Sequence, residues 1–99
     1  MTFVLDISGK AKKQIKSLKE DAGLTKRYKA VSHALRQLAA NPRHPSLETH
    51  PIESLSGPNG EKMFEAYAED KTPAAYRIFW CYGPDKGTIH IVSVQKHPD

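Results

Sequence analysis

Leu24, Tyr28, Val31, Leu35 and Leu38 follow one another at spacings of four, three, four and three. Those intervals put all five side chains on one face of an α-helix, and Ala34 and Ala39 widen the stripe. A shorter stripe precedes it, where Ala11, Ile15 and Leu18 recur at four and three. Ser8 is placed to cap that first helix, because its hydroxyl can accept from a first-turn N–H. Asp21-Ala-Gly23 separates the two, with the glycine supplying the left-handed conformation that a helix end often takes. Thr25 is the candidate cap of the second helix. Asn41-Pro42 is its stop, since the residue before a proline is driven out of the α region. So short a link makes the pair an antiparallel hairpin. Two helices with one apolar stripe each need a further layer to bury them.

The rest of the chain supplies that layer. Residues 2–7 are rich in β-formers and predict a strand. Residues 62–68, 75–82 and 88–95 predict three more, separated by Glu69-Asp-Lys-Thr-Pro73 and Gly83-Pro-Asp-Lys-Gly87. Links this short and turn-rich make those three an antiparallel meander. Between helices and meander lie Pro42, Pro45, Pro51 and Pro58 with Gly57 and Gly60. That composition reads as a loop, with Leu47, Ile52 and Leu55 tucked onto the core and a turn at Ser56-Gly-Pro-Asn-Gly60. The predicted order is βααβββ. It implies a single α+β domain over residues 1–99, with the helical hairpin on one face of a four-stranded sheet.

A chain of 99 residues holds a small core but not a deep, closed active site. Chemistry in it belongs on an open face or a shallow groove. No apolar run approaches the ~20 residues of a membrane span, and the first residues lack the charged leader of a secretory signal. Cys81 is the only cysteine, so an internal disulfide is impossible and a reducing cytoplasm fits best. Residues 1–44 carry ten Lys or Arg against three acids, a balance of +7, and the remainder five against eight, a balance of −3. Lys10, Lys12, Lys13, Lys16 and Lys19 dominate the basic half. Such a stripe suits a polyanion or an acidic protein partner; its other reading is a solvated helix face.

Strand residues alternate between faces. Tyr76, Ile78, Trp80 and Tyr82 share one face of the middle strand, and Ala75, Arg77, Phe79 and Cys81 the other. Alternation in the last strand groups Ile89, Ile91, Ser93 and Gln95 against His90, Val92, Val94 and Lys96. Both faces carry apolar residues. One covers the helices, and the other is an open, partly apolar binding face. Arg77 stands among apolar neighbours and needs an anionic partner or water. Its planar fork suits phosphate oxygens, and a structural ion pair with Glu65 on the adjacent strand is the alternative. His97 ends the last strand beside Lys96, and an imidazole there suits general acid–base work. His90, in mid-strand, reads as a cross-strand contact. His44, Glu48 and His50 match no metal-ligand spacing, so no metal is expected. Cys81 reads as a small buried residue. No Gly-rich phosphate loop or nucleophile elbow is present.

Five features together resemble the RelE/ParE superfamily, the toxins of bacterial toxin–antitoxin pairs, some of which stabilise plasmids. They are the βααβββ order, Asn41-Pro42, Leu55-Ser-Gly57, Ala75-Tyr-Arg-Ile-Phe-Trp80 and Ile91-Val-Ser-Val-Gln-Lys-His97. The resemblance spans nearly the whole chain, and Tyr76-Arg77-Ile78 is its best local marker. It implies a ribosome-dependent mRNA endoribonuclease or, alternatively, an inhibitor of DNA gyrase or a relative without catalytic activity. A domain that binds RNA through the lysines alone is a further reading. In the ribonuclease branch a 2′-hydroxyl attacks the adjacent phosphate, without metal or other cofactor. The resemblance places Arg77 on the phosphate and His97 as proton donor or phosphate contact. Glu65 is then the base, Lys96 a backbone contact and Tyr67 a stacking or hydroxyl group. Lys10 and Lys13 would grip RNA from the helices. Glu65 and Tyr67 stand where ribonuclease members often carry basic residues. The sequence ends at Asp99, without the tail that supplies a catalytic tyrosine in some relatives. The implied partners are an acidic antitoxin, the ribosome and mRNA, or gyrase in the alternative, with no membrane and no small-molecule cofactor.

Overall fold

Ser8 does cap the first helix, and it does more. In the computed structural model, which describes residues 2–97, its Oγ accepts from the Ala11 N–H at 3.0 Å. The same hydroxyl donates to the Val92 carbonyl at 2.7 Å, tying the helix start to the last strand. The elements are β1 (Val4–Ile7), α1 (Gly9–Glu20), α2 (Thr25–Ala40), β2 (His50–Ser56), β3 (Lys62–Tyr67), β4 (Tyr76–Tyr82) and β5 (Thr88–Lys96). Pro98 and Asp99, where the expectation of a missing tail falls, lie outside the described residues, as does Met1.

The link between the helices differs in detail from the sequence reading. Helix α1 ends at an extended Asp21, whose carboxylate accepts from the Gly23 N–H at 2.9 Å. A short 3-10 turn over Ala22–Leu24 then runs straight into α2. Gly23 therefore needs no left-handed conformation; Gly60, Gly83 and Gly87 are the glycines with positive φ. Thr25 does not cap α2 either. It is already helical, its hydroxyl donates back to the Ala22 carbonyl at 3.1 Å, and Leu24 holds the cap position. A continuous run of helical turns leaves no extended residue from which a threonine could reach forward.

Among the described residues the sheet has five strands in the order β1-β5-β4-β3-β2. β1 lies parallel to β5, and the other pairings are antiparallel. The α+β class and the meander stand as read. The extra strand is β2, inside the stretch that composition marks as loop. It pairs His50 with Glu65, Pro51 with Phe64 and Ile52 with Met63. Pro51 is tolerated because β2 is an edge strand, where a missing N–H breaks no ladder. Leu47 is fully buried as expected, but Leu55 is 40% exposed and not tucked onto the core. Gly57 is closely packed in the turn after β2. A Cβ there would come within 2.7 Å of the Glu61 carboxylate and 3.3 Å of Cys81 Sγ.

One irregularity re-sorts β5. Phe79 pairs with Ser93 but Trp80 pairs with Ile91, so Val92 is an extra residue in the last strand. Such a bulge reverses the alternation beyond it. Val94 therefore joins Ile89 and Ile91 on the helix-covered face, against the simple alternation expected. The main core packs Ile78, Trp80, Ile89, Ile91 and Val94 against Leu18, Val31, Leu35 and Leu38. A second, smaller cluster of Met63, Phe79 and Cys81, with Ile52 and Val92 against it, forms on the opposite face. Burial there pushes the Cys81 thiol up, with the Glu61 charge adding to it, as expected of a structural cysteine. Among the described residues no helix is long and apolar enough to cross a membrane.

Candidate active site on the uncovered face of the sheet

Alternation along β3 sends Phe64 and Ala66 toward the helices and Met63, Glu65 and Tyr67 away from them. On β4 it does the same, sending Arg77 and Phe79 away while Ile78 and Trp80 enter the main core. The register then brings functional groups together: His50 opposite Glu65 and Arg77 opposite Tyr67. Lys96 and His97, at and just past the end of β5, close the other side. These six residues line an open depression of about 610 Å³. Arg77 therefore does not lie under the helices, and the face left uncovered carries the polar groups.

Glu65 is the centre. It is only 1% exposed, an unusual place for a carboxylate on a strand. Its Oε1 lies 2.8 Å from His50 Nε2, and its Oε2 is hydrogen-bonded to His97 Nδ1. Arg77 Nε stands 3.9 Å from Oε2, so it contributes charge but no hydrogen bond. An anion this deep costs several kcal/mol to desolvate unless donors and cations compensate, and here two imidazoles and a guanidinium do so.

The imidazoles differ. His50 Nδ1 lies 2.8 Å from the Glu48 carbonyl, which can only accept, so Nδ1 carries a proton. The Nε2 contact to Glu65 then needs a second proton, on the ring or on the carboxyl. Both His50 nitrogens are thus engaged. His97 uses only Nδ1 among the described residues, and its ring is 44% exposed and lines the depression, which leaves Nε2 without a hydrogen bond among those residues.

Arg77 is held firmly. Its Nη1 donates to the Glu69 carbonyl and, at 3.4 Å, to the Tyr76 carbonyl. Its Cζ lies 3.7 Å from the Tyr67 ring centroid, a stacked arrangement that fixes the plane of the fork. Tyr67 meets His50 edge-on at 5.9 Å on the same side. The ion pair with Glu65 is thus present but long, and backbone carbonyls do most of the holding.

The other residues singled out by sequence lie elsewhere. Lys10 and Lys13 are exposed on α1 and do not line the depression. His90 meets Asp6 at 2.9 Å across the β1–β5 pair, a cross-strand contact as expected. His44 bonds Ser46 in its own turn. No group of three or more residues able to hold a metal occurs among the described residues. The site residue the sequence hides is His50. It follows a Pro-rich stretch and precedes a proline, and only the β2–β3 register connects it to Glu65. A second groove runs along the helices, where Ile7, Ile15 and Tyr28 form an apolar floor and Lys12, Lys16 and Lys19 the rim.

This layout is a helical hairpin on one face of a mixed sheet and a histidine-, arginine- and glutamate-lined depression on the other. It is the layout of a known class of small α+β domains. No protein-family model matches the sequence, and no curated protein matches it. Solved structures do. The YoeB/ParE toxin from Agrobacterium tumefaciens superposes with a TM-score of 0.70 at 9% identity, over 96% of this chain and 99% of that one. The archaeal RelE in the RelE–RelB complex from Pyrococcus horikoshii gives 0.66 at 18% identity, over 97% and 96%. The toxin–antitoxin complex RelBE2 from Mycobacterium tuberculosis gives 0.61 at 17% identity, over 98% and 100%. The chain therefore has the RelE/ParE toxin fold over almost its whole length, as the sequence resemblance implied.

Proposed function

We propose that this chain is the toxin of a toxin–antitoxin pair and cuts mRNA on the ribosome by 2′-hydroxyl attack on the adjacent phosphate. The observation that carries this reading is the His97–Glu65 pair beside a fixed Arg77 in one open depression. A carboxylate behind an imidazole, with the far ring nitrogen facing outward, is the arrangement of a general base. His97 Nε2 takes the 2′-hydroxyl proton, and Glu65 holds the ring by Nδ1. The freed 2′-oxygen bonds to phosphorus as the bond to the 5′ oxygen breaks. Lys96, exposed at the same rim, gives that leaving oxygen its proton. Arg77 meets the crowded phosphate, where negative charge builds up. Tyr67 offers a face for stacking a base. The roles expected from sequence shift by one residue: Glu65 is too deeply buried to touch the hydroxyl directly, so it works through His97. Lys10 and Lys13 serve as backbone grips away from the reacting atoms.

The partner in this reading is an acidic antitoxin, and both act in the cytoplasm. The RelE–RelB and RelBE2 complexes are precedents in the same fold. The lysine-rimmed apolar groove along the helices has the chemistry to seat an acidic amphipathic segment.

The test uses purified protein and ribosomes programmed with a defined mRNA. We expect cleavage inside the decoded codon, leaving a 2′,3′-cyclic phosphate. Replacing the 2′-hydroxyl at the cut nucleotide by hydrogen abolishes it. Cleavage that survives the 2′-deoxy substitution contradicts the mechanism.

A further inference from the structure

We propose that His50 is a positioning residue of the site: it locks the Glu65 carboxylate by Oε1, so that Oε2 is aimed at His97 and sets that ring's tautomer. The inference deepens the reading of His97 and Glu65 as the proton-transfer pair and rests on it.

A carboxylate has two oxygens and can turn about its terminal bonds. If only His97 held Glu65, the carboxylate plane would be set by one contact, and the imidazole could settle with either nitrogen toward it. Here Oε1 is already committed to His50 Nε2 at 2.8 Å. Oε2 is then the oxygen left for His97, and an accepting oxygen at Nδ1 selects the tautomer that carries its proton there. The outward Nε2 is thereby left with its lone pair. Partners that orient metal-binding histidines and carboxylates typically matter by about 10- to 100-fold, and the same orienting role is the one assigned to His50.

His50 is itself held at both ends. Its Nδ1 lies 2.8 Å from the Glu48 carbonyl, and Glu48 sits at φ 46° and ψ 40°, a conformation uncommon for a residue with a side chain. The segment that sets this geometry is anchored on either side. Leu47 is fully buried in the main core, and the Thr49 hydroxyl donates to the Pro42 carbonyl at 2.7 Å. Pairing of β2 with β3 then sets His50 opposite Glu65. An imidazole with both nitrogens bonded has none left to meet a substrate. That excludes His50 as the proton-transfer group and fits it as the support. Among the described residues, the other charged or titratable groups around Glu65 are His97, Arg77, Tyr67 and Lys96, and none of them makes a hydrogen bond or ion pair with Oε1.

The test compares the wild-type chain with His50→Ala and His50→Gln. Glutamine can still donate an amide N–H toward Oε1, whereas alanine cannot. Nitrogen-15 spectra of histidine-labelled whole protein report the His97 tautomer without any RNA. We expect a single Nδ1-protonated form in the wild type and in His50→Gln, and a mixture in His50→Ala. On programmed ribosomes kcat falls about 10- to 100-fold in His50→Ala with KM within about twofold, and His50→Gln recovers most of the loss. An unchanged His97 tautomer and kcat in His50→Ala overturns the proposal, as does a His50→Gln variant no better than His50→Ala. Should His50→Ala fail to fold, His50→Asn, whose shorter amide falls short of Oε1, takes its place with the same expectations. If the wild-type chain cuts no RNA, the ribonuclease reading fails, and the tautomer spectra still decide whether His50 sets the His97 ring.

Discussion

Arg77→Ala is expected to slow cleavage on programmed ribosomes by about 100- to 1,000-fold, the range seen when one preorganised donor to a developing anion is removed. The size of the effect follows from how the side chain is held. Two backbone carbonyls and the Tyr67 ring fix the guanidinium before any phosphate arrives, so none of that ordering is left for the moment of reaction. Arg77→Lys keeps the charge but loses the planar fork and the stack, so it should recover only a small part of the rate. The variant should fold, because Arg77 lies outside both apolar clusters. Single-turnover cleavage with a circular-dichroism control measures both. A rate within threefold of wild type would remove Arg77 from the site.

The largest expected loss of stability comes from Trp80→Ala, at about 3–5 kcal/mol. Trp80 is fully buried and stacks on Phe64 at 4.8 Å, with Tyr82 edge-on at 4.9 Å. A domain of this size has about 5–15 kcal/mol in total, so the loss is a large share of the margin. Trp80→Phe should cost much less. It keeps an aromatic ring against Phe64, and it deletes an indole N–H that is buried with no hydrogen-bond partner among the described residues. Leaving such a donor unpaired costs about 1–3 kcal/mol, which offsets part of the lost volume. Denaturant unfolding of the three proteins checks the order. Equal losses for alanine and phenylalanine would contradict this view of the core.

The particular residues show why some of the fold was legible and some was not. The second helix is written in a stripe of five apolar residues whose period needs no tertiary information. The meander is written in β-rich runs bounded by short, turn-rich links, which is local chemistry again. Strand β2 was not legible, because Pro51 and its Pro- and Gly-rich surroundings carry loop chemistry, and only an edge position excuses the proline. The Val92 bulge escaped for a related reason. Simple alternation has no way to mark one extra residue, yet that residue carries Val94 from one face to the other.

The site divides the same way. Arg77 was visible as a charge among apolar neighbours, and His97 as an imidazole beside a lysine at a strand end. Glu65 was visible as a partner for Arg77, but its depth and its two imidazole contacts depend on three strands in register. In the sequence His50 stands with His44 and Glu48 in a set that matches no metal-ligand spacing. Its value comes from a long-range pairing across the β2–β3 ladder, and nothing local to His50-Pro51 encodes that.

The most direct test of the account is to induce the chain alone in growing cells and map new mRNA 5′ ends within minutes, beside the Arg77→Ala variant. The account predicts growth arrest with new ends inside translated codons, and loss of both in the variant. Arrest with intact mRNA and damaged DNA would contradict it and place the chain with the gyrase inhibitors.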